Sequence, residues 1–212
     1  MCNRYQLRSS SQQVRQTFGV TVELFEPEYP SEYYPGRTVP VISPGDDGGR
    51  TLAPAAWGIP LGKHRVTNAR DDKLGSTWKR FTTRRVVFPL DAAIEYHYRL
   101  DLLGQPTGKP TPYAITRADG ELSAIAGFAS QPLGEGPVDA DDPAAAVTML
   151  TCPGNDLYAD VHNKNPDDPR MLVYLVEPED VSAWLDPDRP FDELRDLVRP
   201  APAGWLTAAP LR

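Results

Sequence analysis

The run Arg84-Arg85-Val86-Val87-Phe88-Pro89-Leu90-Asp91-Ala92-Ala93-Ile94-Glu95-Tyr96-His97-Tyr98-Arg99-Leu100 decides how the chain is read. Its first part, Arg84 to Leu90, is rich in β-branched and aromatic residues and reads as a strand. Its last part, Ile94 to Leu100, alternates strictly, with Glu95, His97 and Arg99 on the face opposite Ile94, Tyr96 and Tyr98. Successive strands this close together leave no room for a helical crossover, so they argue for antiparallel pairing. From alternation alone, Glu95 belongs to a polar face turned to water.

Outward from this run, the segments near Thr38 to Ile42, Pro112 to Thr116, Leu122 to Phe128 and Ala145 to Thr151 read as further strands, separated by Gly, Pro and Asp clusters. Helices are few. Ser9 and Ser10 each have a glutamine three residues on, and Val14 and Phe18 lie one turn apart before Gly19, which predicts a short capped helix. Pro178 to Leu185 and Phe191 to Val198 are predicted as two later helices. The fold class is α+β with an antiparallel-rich sheet, as one domain over residues 1–198. Residues 199–212 form a Pro/Ala-rich tail, expected along the surface or mobile.

Composition bounds the function. A chain of 212 residues, 40% apolar and 24% charged, suits one soluble globular domain. No apolar run is long enough to span a bilayer, and Arg4 to Gln16 lacks the apolar centre of a signal peptide, so a cytoplasmic protein without a membrane partner is expected. Two cysteines, Cys2 and Cys152, are too few for a disulfide scaffold. The three histidines and two cysteines show no paired-ligand spacing, so neither a metal nor a cofactor is expected. A net charge of −7 argues against nucleic-acid binding by the whole surface. One segment differs: Lys63, Arg65, Arg70, Lys73, Lys79, Arg80, Arg84 and Arg85 are opposed only by Asp71 and Asp72. Such a surplus can hold phosphates, and Tyr5, Trp57, Trp78 and Phe81 can stack on unpaired bases or fill a core.

The chain opens Met1-Cys2-Asn3-Arg4-Tyr5. Removal of Met1 puts a free α-amine and a thiol on one residue. An α-amine titrates at about 7.7–8.0 against about 10.4 for lysine, so part of it is nucleophilic near neutrality. An amine that captures an aldehyde as a Schiff base can be trapped by the neighbouring sulfur as a five-membered thiazolidine. Downstream, Asn155 to His162 reads as a capped helical turn ending in a histidine. That histidine is either a surface residue at a helix C-terminus or a proton carrier near pH 7.

Taken together these residues resemble the SRAP family, the SOS response-associated peptidases or abasic-site processing proteins. The opening resembles the family's Met-Cys-Gly-Arg-Phe, Trp57-Gly58-Ile59-Pro60 its Trp-Gly-Leu-Ile-Pro, and Thr67-Asn68-Ala69-Arg70 its Asn-Ala-Arg. Arg84 to Glu95 resembles the strand reading Arg-Cys-Leu-Ile-Pro-Ala and ending Gly-Phe-Tyr-Glu-Trp. Thr151, Asn155, Val161-His162 and Arg170-Met171 follow in the family's order. The departures are Asn3 for glycine, Ala92-Ala93-Ile94 for Gly-Phe-Tyr, Tyr96 for tryptophan, and a longer stretch, Asn163 to Pro169, before Arg170-Met171.

The resemblance implies a curved, barrel-like and largely antiparallel sheet with a few peripheral helices. It further implies a monomer that captures abasic sites in single-stranded DNA as a covalent crosslink in DNA repair or the SOS response. Cys2 is then the nucleophile, Glu95 a general acid/base that also serves self-proteolytic exposure of Cys2, His162 a proton donor to the sugar, and Asn68 a holder of sugar or Cys2. Lyase activity is implied alongside. Arg4, Trp57, Arg70, Lys79, Arg84 and Arg85 are the DNA-binding candidates. Two alternatives stay open: an N-terminal-nucleophile peptidase or amidohydrolase, and a non-catalytic single-strand-binding module.

Overall fold

The computed structural model describes residues 3–24, 31–45, 48–133, 143 and 145–211; Met1 and Cys2 lie outside the described residues. The run that opens the sequence analysis divides between two sheets. Its first strand, Arg85–Leu90, is buried along its whole length because it is a stave of a closed ring. It pairs antiparallel with Ser123–Ala129 on one side and with Thr38–Pro44 on the other, where Ile42 faces Val87. Thr38–Pro44 pairs with Arg50–Trp57, and Ser123–Ala129 with Ala146–Pro153. The ring of five strands closes where Ala146 and Val147 pair with Ala56 and Trp57 in parallel. An odd number of staves cannot alternate in direction all the way round, so one parallel seam is required. Closure removes the exposed edges an open sheet would carry.

Gly127 shows how tightly the ring is filled. A Cβ there would lie 2.5 Å from the Phe88 ring and 2.6 Å from the Thr148 carbonyl oxygen. Both contacts are far inside van der Waals distance, so only glycine fits.

At Asp91 the chain turns out of the ring into a second, antiparallel sheet. Its order is Leu206–Pro210, Pro106–Arg117, Ala92–Leu100, Tyr5–Gln6, Glu32–Tyr33. The Asp91 carboxylate accepts from the Ser9 N–H at 2.9 Å, the Ser9 hydroxyl at 2.7 Å and the Arg8 N–H, while its own N–H donates to the Gln6 carbonyl at 2.9 Å. The corner therefore ties the N-terminal strand to the crossing point. Residues 92–95 are buried and exposure begins beyond them. Glu95, expected on a watered face, is thus inside the protein.

Among the described residues three α-helices lie outside the sheets: α1 (Ser11–Phe18), α2 (Asp156–Val161) and α3 (Pro178–Leu185). Ser10 caps α1, its side chain accepting from the Gln13 N–H while Gln13 reaches back, and Gly19 ends the helix at φ 60°. The expected helix over residues 191–198 is instead a 3-10 helix, Phe191–Leu197. Phe191, Leu194 and Leu197 recur every three residues, the period of that tighter turn. Arg50–Trp57 is not expected as a strand, because Ala53, Pro54, Ala55 and Ala56 have weak strand propensity; pairing with Thr38–Pro44 on one side and with Ala146 and Val147 on the other holds it. After Val198, residues Leu206–Pro210 add an edge strand against Tyr113–Arg117. No described helix is long and apolar enough to cross a membrane.

Candidate active site

The N-terminal strand runs beside Glu95. Tyr5 pairs with Ala93, and the Arg4 carbonyl accepts from the Ile94 N–H at 2.9 Å, one residue short of Glu95. The strand is gripped on its other side by Glu32. Arg4 places Nε 3.1 Å and Nη2 2.5 Å from the two Glu32 oxygens, Gln6 donates at 2.9 Å, and the Tyr34 hydroxyl donates at 2.7 Å. Hydrogen bonds from Arg4 first, then Tyr34 and Gln6, hold the Glu32 carboxyl at about 2, well below the usual range. Charge-assisted pairing of this kind fixes position as well as contributing energy.

Glu95 is 2% exposed and meets His162, whose Nδ1 lies 2.8 Å from Glu95 Oε2. A buried carboxylate needs such a partner. The helix α2 delivers the histidine. Asn155 caps its start, accepting from the Tyr158 N–H at 3.1 Å, and His162 closes its end through its N–H to the Tyr158 carbonyl at 2.8 Å. Tyr158 and Val161 are buried, and the Tyr158 hydroxyl meets that of Tyr174 at 2.6 Å.

Two further contacts lock α2 onto the Glu95 strand. The ladder between Ala92–Leu100 and Pro106–Arg117 shifts register between His97 and Arg99, which takes Tyr98 out of regular pairing. The Asn163 amide substitutes for the missing strand: its oxygen accepts from the Tyr98 N–H at 2.8 Å and its nitrogen donates to the Tyr98 carbonyl at 2.7 Å. His97 Nδ1 donates to the Asp160 carbonyl at 3.0 Å. Asn163 was not foreseen as a site residue; its position directly after His162 was the available signal.

Asn68 lies on a short strand added to the ring. Asn68–Arg70 pairs in parallel with Met149, Leu150 and Thr151, and the Asn68 amide donates to the Thr67 hydroxyl at 3.1 Å. Trp57 links this strand to the N-terminal one. Its indole N–H donates to the Thr67 carbonyl at 3.1 Å, and its ring meets Tyr5 edge-on at 5.4 Å, Tyr5 being stacked on Tyr33 at 4.8 Å. Gly58, next in the Trp-Gly-Ile-Pro motif, has φ 124° with Arg65 Cβ 3.3 Å from where its own would be. That turn requires glycine.

The candidates for DNA contact separate. Trp57 is fully buried, so the expected stacking role is corrected: the ring belongs to the core that orients Tyr5 and Thr67. Trp78 and Phe81 are likewise buried. Arg85 is also corrected. It is 4% exposed and donates to the carbonyls of Trp184 at 2.6 Å, Thr82 at 2.8 Å, Arg189 at 3.1 Å and Asp186. It thus serves the carbonyl end of α3, as cations do. Arg84 is half-buried, with Nη1 2.6 Å from the Ser130 carbonyl. Lys79 is exposed beside Leu74 and Asp192, and Arg4 is committed to Glu32. Arg70 is partly exposed and engaged by Asp72 and Asp168.

Cys152 is buried, and burial pushes its thiol up to about 12. It is chemically quiet at neutral pH. Among the described residues, no group of three or more His, Cys, Asp or Glu is placed to hold a metal ion.

A closed five-stranded ring flanked by an antiparallel sheet, with a buried glutamate hydrogen-bonded to a partly buried histidine beside the N-terminal strand, defines an α+β protein with a polar corner at its own N-terminal strand. The sequence matches the profile of the SOS response associated peptidase (SRAP) family over residues 1–212, and the chain belongs to that family. It is 28% identical over 221 residues to the abasic site processing protein YoqW of Bacillus subtilis (strain 168), covering 98% of this chain and 91% of that one; YoqW of Bacillus phage SPbeta matches equally. Among solved structures, a Bordetella bronchiseptica protein superposes with TM-score 0.79 at 27% identity, covering all of both chains. A Bacteroides thetaiotaomicron protein of the same fold superposes at 0.76 with 18% identity, covering all of this chain and 92% of its own.

Proposed function

We propose that this protein processes abasic sites in single-stranded DNA, capturing each one covalently through Cys2 after Met1 is removed. The observation that carries the reading is the 2.8 Å Glu95–His162 pair beside the strand that leads back to Cys2. Cys2 is one residue before Asn3, and consecutive Cα atoms are about 3.8 Å apart. The reading requires the Cys2 amine and thiol to meet Glu95 from two positions before Arg4, whose carbonyl accepts from the Ile94 N–H. Family membership and the name of the YoqW relatives support the substrate.

The ring-opened sugar of an abasic site is an aldehyde. His162 delivers a proton to the ring oxygen of the closed sugar as the C1–O bond breaks and the C1 hydroxyl gives up its proton to water, which speeds opening to the aldehyde. Glu95 takes a proton from the α-ammonium, the amine adds to the aldehyde carbon, and the carbinolamine loses water to give an imine. The Cys2 sulfur then adds to that carbon, its proton passing to the nitrogen, and a thiazolidine closes. The balance is one amine, one thiol and one aldehyde consumed, one ring and one water formed. Asn68 holds the sugar or Cys2, and Arg70 grips a flanking phosphate through its planar fork. Glu95 also serves exposure of Cys2, the self-directed peptidase step; lyase activity would branch from the imine, where loss of the proton on the neighbouring sugar carbon expels the 3′ phosphate and nicks the strand.

The test is incubation of the mature protein with a single-stranded oligonucleotide bearing one abasic site, followed by a denaturing gel. A denaturant-stable adduct that is lost in Cys2→Ala and kept in Cys152→Ala supports the reading. Equal adduct in Cys2→Ala contradicts it.

A further inference from the structure

Arg70, the residue assigned to a phosphate, already holds two carboxylates. Its Nε and Nη2 lie 3.0 and 3.2 Å from the two oxygens of Asp72, a fork-on-fork pairing, and its Nη1 lies 2.7 Å from Asp168 Oδ2. All three nitrogens of the guanidinium are thereby engaged. Behind it, Arg170 is buried and donates to Asp71 and to the Thr151 carbonyl at 2.9 Å, with Asp168 Oδ1 3.9 Å away. Two guanidiniums thus face three carboxylates, Asp71, Asp72 and Asp168, and Lys73 also acts on Asp72, so the cluster carries no positive surplus within the basic run of the sequence.

The two carboxylates on Arg70 differ in kind from Asp71. Asp72 and Asp168 have side chains 46% and 43% exposed, so water can take them up if they swing away. The same planar fork recognises carboxylate and phosphate, which makes the two anions direct competitors for it. Asp168 also reaches Arg70 from an unusual source. It lies in the stretch Asn163 to Pro169, which separates His162 from Arg170-Met171 and is anchored at its start by the Asn163–Tyr98 bonds.

Resting on the reading of this site as a single-strand groove, we propose that Asp168 and Asp72 act as a displaceable phosphate mimic on Arg70, lowering affinity for undamaged single strands. A passing strand must expel a carboxylate to gain the Arg70 contact, so the intrinsic affinity is reduced by the fraction of protein in which Arg70 is open. A strand fixed at an abasic site by the covalent bond loses nothing to that competition, because its phosphate is held beside Arg70 at high effective concentration. The carboxylates thus sharpen the difference between damaged and undamaged DNA without touching the reacting atoms.

The experiment measures fluorescence anisotropy with an undamaged single-stranded oligonucleotide, on the full chain, at fixed low salt. Asp168→Asn keeps the shape and removes the charge; it is expected to tighten binding roughly tenfold. Asp119→Asn, which breaks the similar exposed pair between Arg117 and Asp119, controls for net charge and is expected to change binding less than about twofold. In an Arg70→Ala background the Asp168→Asn gain is expected to vanish. Thermal melting of each variant establishes that it is folded. Asp168→Asn binding like the parent, or an equal gain from Asp119→Asn, or a gain that persists without Arg70, would overturn the proposal. Crosslinking of abasic DNA by the parent, measured in parallel, separates the outcomes. A parent that captures abasic sites while Asp168→Asn shows no gain overturns this inference alone, whereas a parent that neither captures nor binds overturns the functional reading beneath it.

Discussion

The Glu95–His162 corner and the basic run from Lys63 to Arg85 use charge in opposite ways. The corner looked bland in sequence, a glutamate on an alternating strand and a histidine at a helix end. It turns out to be a buried glutamate 2.8 Å from a partly exposed histidine. The basic run looked like a continuous phosphate-binding stripe. In the structure Arg85 serves helix α3, Arg84 bonds the Ser130 carbonyl, and Arg70 is held by Asp72 and Asp168. Charge density along a chain therefore says little about where guanidiniums end, because a guanidinium's five donors suit backbone carbonyls as well as phosphates.

The comparison can be broken at its strongest point first. Glu95→Gln is expected to slow adduct formation by about 10²–10⁴-fold, the usual worth of positioned acid–base catalysis, and to leave residual Met1 by mass if exposure of Cys2 needs the carboxylate. His162→Ala is expected to slow capture by about 10²-fold yet reach the parent's end point, since the open aldehyde also forms spontaneously. Time courses on the same oligonucleotide check both. Undiminished rates in both would return the corner to a structural role.

Arg85 and Arg70 then test the other side. Arg85→Ala is expected to cost about 3 kcal/mol in urea denaturation, because buried carbonyls at the end of α3 lose a charged donor. Arg70→Ala is expected to leave stability within about 0.5 kcal/mol while lowering the salt dependence of single-strand binding by about one charge. A reversed pattern would mean that Arg85 is the phosphate contact after all. A smaller effect, roughly tenfold in capture rate, is expected from Asn163→Ala, which frees Tyr98 and loosens α2 against the Glu95 strand.

The smallest effect concerns pH. The Glu32 carboxyl is held at about 2 in the folded chain, below its unfolded value, so the stabilisation it contributes is present above the ordinary carboxylate range and is lost as pH falls through about 2. Glu32→Gln is expected to remove about 1 kcal/mol at neutral pH and to flatten the parent's loss of stability between about pH 4.5 and 2. Thermal melts across that window measure it, and parallel curves for parent and variant would show that Arg4 is not anchored through Glu32.

Much of the fold was legible because local pattern and tertiary role agree there. Ser10, Gln13 and Gly19 bound α1, Pro178–Leu185 is α3 with the expected buried face, and the strands about Val87, Ile125 and Leu150 are largely apolar. The ring's closure was not readable from any one segment, since the Ala56–Ala146 seam joins residues far apart in sequence. Arg50–Trp57 is a strand only because neighbours on both sides pair with it. The Glu95–His162 pair was legible as residues in family order, while the burial that gives it meaning came from Asp91 turning the chain between sheets. Asp72 and Asp168 were invisible as partners of Arg70 because the Asp168 pairing spans 98 residues of sequence and the Asp72 pairing looked like ordinary opposing charge.

The central claim is covalent capture through the N-terminal amine and thiol of Cys2. Intact-mass spectrometry of the adduct with a single-stranded abasic oligonucleotide, followed by peptide mapping, tests it directly. The account predicts the mass of the chain without Met1 plus the oligonucleotide less one water, with the DNA mapped to the peptide beginning at Cys2. An adduct that retains Met1, or one mapped to a lysine, would contradict it.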